Sequence, residues 1–213
     1  MGLDEFLSLY AVGEAQLETD PESSFWLASS PISANHDPFG KPASGIETTV
    51  RSRWTRDSLF VLFECVYQTL RLRPRPKLCA KTWELWDWDV VELFIGDDWT
   101  HIDRYKEFEL SPQGEWLDLA IDRTPPDLDR NRGWASGFQV AARVDSTHGT
   151  WYGAMRIPFV AITDSAIAEG KKFRANLYRM EGPPEKRKLV AWQITHSDNF
   201  HVPEAFGNLV LTA

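Results

Sequence analysis

Residues 83–95 read WELWDWDVVELFI and set three tryptophans and four acidic residues in their first ten positions. An indole offers a broad apolar face and one N–H donor, whereas a carboxylate only accepts hydrogen bonds. Gathered at the mouth of a strand, the pair suits a ring with apolar C–H faces and a rim of hydroxyl donors. The usual catalytic templates give nothing comparable. His36, His101, His148, His196 and His201 stand singly, without an HExxH pair. The chain has no GxSxG elbow, Gly-rich phosphate loop or Walker-type lysine. With 31 acidic residues, a carboxylate pair for glycoside hydrolysis can always be nominated, so their abundance carries no weight. Cys65, inside the apolar run LFVLFECVY, reads as a small buried hydrophobe. Cys65 and Cys79 show no CxxC spacing, so neither zinc nor a disulfide framework is expected.

The strands that must carry these side chains are legible by parity. In VVELFIG, Val91, Leu93 and Ile95 share one face and Val90, Glu92 and Phe94 the other. In KEFELS, Phe108 and Leu110 oppose Glu107 and Glu109. In KFRANLYRM, Phe173, Ala175 and Leu177 oppose Arg174, Asn176 and Tyr178. One face is therefore core, and the other carries Glu, Arg, Asn and Tyr. A solvated outer face of a sheet has this composition, and so does a surface that binds sugar hydroxyls. Millimolar sugar recognition requires only about −4 kcal/mol, within reach of one or two stacking contacts and a few charge-assisted hydrogen bonds.

Along the whole chain, alternation recurs at 47–54 and 59–67 around the turn TRDS, at 105–111 and 115–122 around PQG, and at 138–145 and 150–159 around STHG. Residues 171–180, 189–195 and 207–213 complete the set. Residues 159–170, FVAITDSAIAEG, predict one short helix capped by Gly170. The pattern predicts an all-β fold: one domain over residues 1–213, an antiparallel β-sandwich of jelly-roll or immunoglobulin-like kind. Ten tryptophans are far more than usual, and roughly six or seven are assigned to packing. Trp116, Trp151 and Trp192, within strands, are placed in the core or on a sheet face, and Trp83 and Trp88 are read as structural. The net charge of −8 argues against nucleic acid or an anionic membrane as partner, and RLRPRPK (71–77) reads as a solvated loop. The N-terminus MGLDEFLSLYAVGEAQ lacks a secretory signal, and no run is long enough to span a membrane. A cytoplasmic protein is expected, or a secreted one if the true start lies upstream.

The order WDWDVVELFIG, YKEFELSPQGEW, WYGAMRIPF, KFRANLYRM and AWQITHSDNFHVPEAFGNLVL resembles family 9 carbohydrate-binding modules, of the wider DOMON-like group, from about residue 25 to the C-terminus. The resemblance implies a jelly-roll-like sandwich holding a sugar between two aromatic walls, as part of carbohydrate catabolism. Trp86 would be one wall and Phe200 the other, with Glu92 and Asn176 as polar contacts. Where the family carries arginine this chain has Glu109, which replaces a forked donor by an acceptor. Arg174 or Arg179 could restore the donor. Trp86 is otherwise a lid over the end of the sandwich, Glu92 a partner for Arg174, and Phe200 and His201 fasteners of the last loop. No cofactor is expected, although the family can carry calcium, for which DWD (87–89) and DLD (127–129) offer oxygens. Two rival readings differ in chemistry. A haem domain would need Met155 or Met180 as axial ligand, and parity puts Met155 in the core. A glycoside-processing role, by hydrolysis of O-glycosyl compounds, has no motif behind it.

Overall fold

The computed structural model describes residues 5–13, 15–124, 129–131 and 133–213, with the side chains of 129–131 left aside. Its strands are β1 (Glu5–Tyr10), β2 (Ile32–Ala34), β3 (Thr48–Trp54), β4 (Ser58–Val66), β5 (Val90–Gly96), β6 (Arg104–Leu110), β7 (Trp116–Asp122), β8 (Asp129–Asn131), β9 (Gln139–Asp145), β10 (Thr150–Pro158), β11 (Lys172–Glu181), β12 (Lys188–Ala191) and β13 (Gly207–Thr212). They form a single sheet in the order β8-β7-β6-β5-β11-β13-β1-β3-β4-β10-β9, with β12 on β11 and β2 on β3. The three expected hairpins are all present, β3–β4, β6–β7 and β9–β10.

The sheet is mixed, not purely antiparallel as the alternation suggested. β1 runs parallel to β13 on one side and to β3 on the other. That one strand joins the two halves into a continuous, nearly closed sheet, and it removes two edges that would otherwise need cover. Inside the curve, Leu93, Phe108, Leu177 and Leu209 from one half share a core with Val50, Val61, Phe63, Trp151 and Met155 from the other. Gly153 on β10 lies where a Cβ would come within 3.0 Å of Leu110 on β6, so the absent side chain sets how closely the halves approach. Met155 is fully buried there, as its parity required.

The helix expected over 159–169 does not form. A 3-10 turn, Phe159–Ala161, stops after one turn. The Thr163 hydroxyl donates to Asp97 and accepts from the Ser165 N–H, which diverts the backbone from further helical bonding. Gly170 instead donates its N–H to the Leu211 carbonyl. The only α-helical turn among the described residues is α1 (Ser24–Leu27), capped by Ser23 and anchored by buried Trp26. The basic run 71–77 is not simply solvated either. Arg73 pairs with the fully buried Glu115 at 3.1 Å, and Arg71 lies over the Trp88 ring. Both cysteines are free thiols, Cys65 buried and Cys79 exposed. Burial pushes the Cys65 thiol up to about 12.

Candidate functional site

The polar face of β5, β6 and β11 is not an open surface. In register, Glu92 pairs with Glu109 and Tyr178, and Phe94 with Glu107 and Asn176, so all six project to one side. Over them close two segments, 83–89 and 196–206, whose apolar residues meet the face in a second core. Leu85, Phe94, Tyr105, Tyr178, Phe200 and Phe206 belong to it. The acids are consequently buried: Glu92 is 2% exposed, Glu107 3% and Glu109 0%.

The first covering segment turns on a 3-10 element, Leu85–Asp87, entered through Glu84 in the left-handed region at φ 60°. Leu85 anchors it in the second core, and Trp83 meets Trp86 edge-on at 5.1 Å between centroids. Asp89 ties its far end, one carboxylate oxygen accepting from the Arg71 N–H and the other from the Gly182 N–H, both at 2.8 Å. Arg187 brackets the turn from outside. Its guanidinium donates to the carbonyls of Asp87 (3.0 Å), Trp88 (2.7 Å), Gly182 (2.8 Å) and Trp86, and lies 3.6 Å from Met180 Sδ. A planar fork can serve several carbonyls at once, which an ammonium does less well.

The second segment is held by its own short polar side chains. Asn199 donates its N–H to Ser197 Oγ, and its side-chain oxygen accepts from the His201 N–H. Phe200 stacks flat on Tyr178, with centroids 4.1 Å apart and planes 8° apart. The Tyr178 hydroxyl donates to the Phe200 carbonyl at 3.0 Å and accepts from the Asn176 amide at 2.7 Å. That amide also binds both backbone groups of Gln193, its nitrogen the carbonyl at 3.0 Å and its oxygen the N–H at 2.9 Å. His201 turns Nδ1 to the Tyr105 hydroxyl at 2.7 Å and Nε2 toward Glu107 at 3.9 Å.

Between the two segments opens a recess of about 400 Å³, lined by Trp86, Phe200 and His201 above Glu92, Phe94 and Glu107, with Met180, Leu189, Asp198 and Asn199 at the sides. Its size is in the range of small-ligand pockets. Glu92 accepts no protein hydrogen bond among the described residues. Burial, and then the neighbouring Glu107 carboxylate, hold its carboxyl well above the usual range, with Arg187 acting in the opposite sense. A buried carboxyl without a donor is costly to keep, and this one faces a cavity. A further recess, beside Pro38, Phe39 and Lys188, shares Leu189 and Asp198 with it. Larger hollows exist elsewhere, such as that of about 540 Å³ beside Arg56, Arg156 and Phe159. That one has no buried carboxyl at its base and is read as surface relief.

Residues 23–213 match the model of the carbohydrate family 9 binding domain-like family. The chain belongs to that family. A curated relative is an "Extracellular protein" of Arthroderma benhamiae, 24% identical over 77% of this chain and 78% of its own. Among solved structures, a putative carbohydrate-binding protein of Bacteroides uniformis superposes with a TM-score of 0.77 at 16% identity, over 99% of this chain and 100% of its own. A family 9 carbohydrate-binding module of Caldicellulosiruptor kristjanssonii, solved with cellotriose and with glucose, gives 0.68 at 12% identity. It covers 99% of this chain and 94% and 96% of its own in the two complexes. Those likenesses establish the fold.

Within this family 9 domain the residues singled out from sequence separate into two groups. Trp86, Glu92 and Phe200 come together around the recess. Asn176, Arg174 and Glu109 do not line it. Asn176 is wholly buried and seats Phe200 through Tyr178. Arg174 donates to the carbonyls of Asp98, Ile102 and Pro203 and so props the 196–206 segment instead of pairing with Glu92. Glu109 stands beside Glu92, in register with it on β6, and is fully buried. Arg179, on the opposite face of β11, donates to Ile46, Thr48 and Glu181, so neither arginine restores a donor to the recess. Glu107, Asn199 and Arg187 were missed. Parity put Glu107 on the right face, but nothing in the run EKRK marked Arg187. In the DWD segment both oxygens of Asp89 accept backbone N–H groups, which ties the segment to Arg71 and Gly182. No cluster of three metal-ligating side chains occurs among the described residues. Residues 127 and 128 of DLD lie outside the described residues. No described helix is long and apolar enough to cross a membrane.

Proposed function

We propose that this chain is a non-catalytic carbohydrate-binding module that takes one sugar ring into the recess between Trp86 and Phe200. The observation that carries the reading is Glu92, a buried carboxyl at the base of an aromatic-walled cavity with no protein donor among the described residues. A sugar hydroxyl supplies the missing donor, while the ring's C–H face stacks on Trp86. Phe200 gives the second wall with one side only, because its other side is spent on Tyr178. Asn199 and His201 border the ring's edge, and the adjoining recess past Leu189 offers room for a second residue of an oligosaccharide. The cellotriose and glucose complexes of the Caldicellulosiruptor module support the ligand class. The extracellular relative favours a secreted protein over the cytoplasmic one expected from the N-terminus, serving carbohydrate breakdown outside the cell.

Isothermal titration with glucose, xylose, cellobiose and cellotriose tests the proposal. Millimolar or tighter binding that weakens about two- to tenfold in Trp86→Ala is expected, from the loss of one stacking contact. Silence across the panel to tens of millimolar, or unchanged affinity in that variant, refutes the assignment.

A further inference from the structure

The recess lined by Trp86 and Phe200 adjoins a second one of about 430 Å³, and Leu189 and Asp198 line both. Part of the second wall comes from the connection between β2 and β3, where Phe39 lines the hollow and is 48% exposed. Single exposed apolar side chains are ordinary on a protein surface. This one stands in a concavity, on a turn whose backbone is tightly bonded. One Asp37 carboxylate oxygen accepts from the N–H groups of Phe39 at 2.9 Å and Lys41 at 2.8 Å. The Asp37 N–H donates to the Lys41 carbonyl at 2.7 Å, and the Gly40 N–H to the Asp37 carbonyl at 3.0 Å. Gly40 sits at φ 88°, where a side chain would be strained, and its Cβ would lie 3.0 Å from Ile194. The turn is also tied to the chain that borders the first recess. The Pro38 carbonyl accepts from the N–H groups of Thr195 and His196 at 3.1 and 2.8 Å, and the His36 carbonyl from that of Ala191 at 2.9 Å. Phe39 is thereby fixed relative to Leu189, Asp198 and Phe200.

We infer that Phe39 is a further platform, on which the next ring of an oligosaccharide stacks while the first occupies the recess at Trp86, so that the protein prefers a sugar chain to a single ring. The inference rests on the sugar-binding reading above and adds to it the residue that selects for length. The flat apolar face of a phenylalanine suits the C–H face of a pyranose. Ser44 lines the same hollow with a hydroxyl that donates and accepts, and Asp198 lines both hollows with a carboxylate that accepts. Because the turn already holds Phe39 in place, little of the stacking energy is consumed in ordering the ring.

The test is calorimetric titration of the whole protein, Phe39→Ala and Phe39→Tyr with glucose, cellobiose and cellotriose. Circular dichroism and Tm confirm that both variants are folded. In the unsubstituted protein the longer sugars are expected to bind about two- to tenfold more tightly than glucose, the gain from one added stacking contact. Phe39→Ala should abolish that advantage and leave the Kd for glucose unchanged. Phe39→Tyr keeps the ring and should keep the advantage. Glucose bound as tightly as cellotriose, or a length preference that survives Phe39→Ala, overturns the inference and leaves the sugar-binding reading intact. Equal losses for glucose and cellotriose in Phe39→Ala also overturn it, because the residue then supports the first recess and not a second ring. Loss of the length preference in Phe39→Tyr as well would exclude stacking as its source. No binding by any of the three sugars removes both readings.

Discussion

Arg187 does not line the recess, yet its replacement should weaken sugar binding as much as removing the Trp86 ring does. Among the described residues, its guanidinium is the sole side chain that reaches the carbonyls of Trp86, Asp87, Trp88 and Gly182 together, fixing the turn that carries the wall. Hydrogen bonds from a charged donor contribute about 1.5–3 kcal/mol each when measured alone. Four that share one half-buried group do not add, and water can enter to satisfy the released carbonyls. Arg187→Ala should therefore cost about 2–4 kcal/mol of stability, the range for breaking a part-buried polar network. For a chain of this length that is a fall of roughly 4–16 °C in Tm.

With the turn released, Trp86 no longer holds its face to the recess, and about 0.5–1.5 kcal/mol of stacking is lost, a two- to tenfold rise in Kd. Arg187→Lys keeps the charge but not the fork, and should recover less than half of either loss. The decisive assay is a double-mutant cycle read by titration calorimetry at a temperature where all four proteins are folded. In the Trp86→Ala background, Arg187→Ala should have no further effect on Kd, because both changes remove the same contact. Additive losses would mean that Arg187 reaches the ligand itself, and an unchanged Kd in Arg187→Ala alone would refute the positioning argument.

Three further outcomes follow from buried groups. Glu92 has its folded-state pKa raised from an ordinary value near 4.5 by burial and by Glu107. Between that value and the folded pKa the native state holds more protons than the unfolded, so stability should fall as pH rises. The slope is at most about 1.4 kcal/mol per pH unit, and Glu92→Gln should flatten it in urea titrations at stepped pH; an equally sloped profile in the variant would assign the effect elsewhere. Asn176→Ala removes four hydrogen bonds, two buried ones with Leu177 and Tyr178 and two part-buried ones with Gln193. It should lower stability by about 2–4 kcal/mol together with sugar affinity, whereas a direct sugar contact would show lost affinity at unchanged Tm. Native protein treated with iodoacetamide at pH 8 should take up one label, on exposed Cys79, and two only after denaturation, since the buried Cys65 thiol is held near 12; two labels on native protein would contradict the burial.

Much of the sheet can be read from the sequence because a two-residue period leaves little freedom. Once VVELFIG, KEFELS and KFRANLYRM are strands, burying Leu93, Phe108 and Leu177 forces Glu92, Glu107 and Asn176 to the other side. What parity does not carry is the relation between distant segments. β1 pairs in parallel with strands whose register partners lie some 200 and 44 residues away, Leu9 with Thr212 and with Arg53. No local turn announces such pairings. The run 159–170 has apolar spacing suited to a helix, but the Thr163 hydroxyl finds Asp97 on another strand end, a tertiary contact that outweighs propensity.

The same division explains the site. Trp86 and Glu92 are six residues apart on one turn and strand, so their joint placement was local and legible. Phe200 was identifiable only through its place before the terminal FG. Its supports, Tyr178 and Asn176, sit on β11 some twenty residues earlier. Asn176 shares its face with Glu92, and parity alone cannot tell a side chain that meets a ligand from one that seats the wall beside it. The difference lies in what covers the face. Residues 83–89 and 196–206 pack down over β11 at Asn176 but leave a recess above Glu92 on β5, and the two segments are held by Arg187 and by Arg174. Two arginines that sequence would assign to solvent or to the ligand thus hold the segments above the buried carboxyls Glu92 and Glu107. Glu92 has no protein donor among the described residues, and on the proposed reading the recess above it is where a ligand's donor arrives.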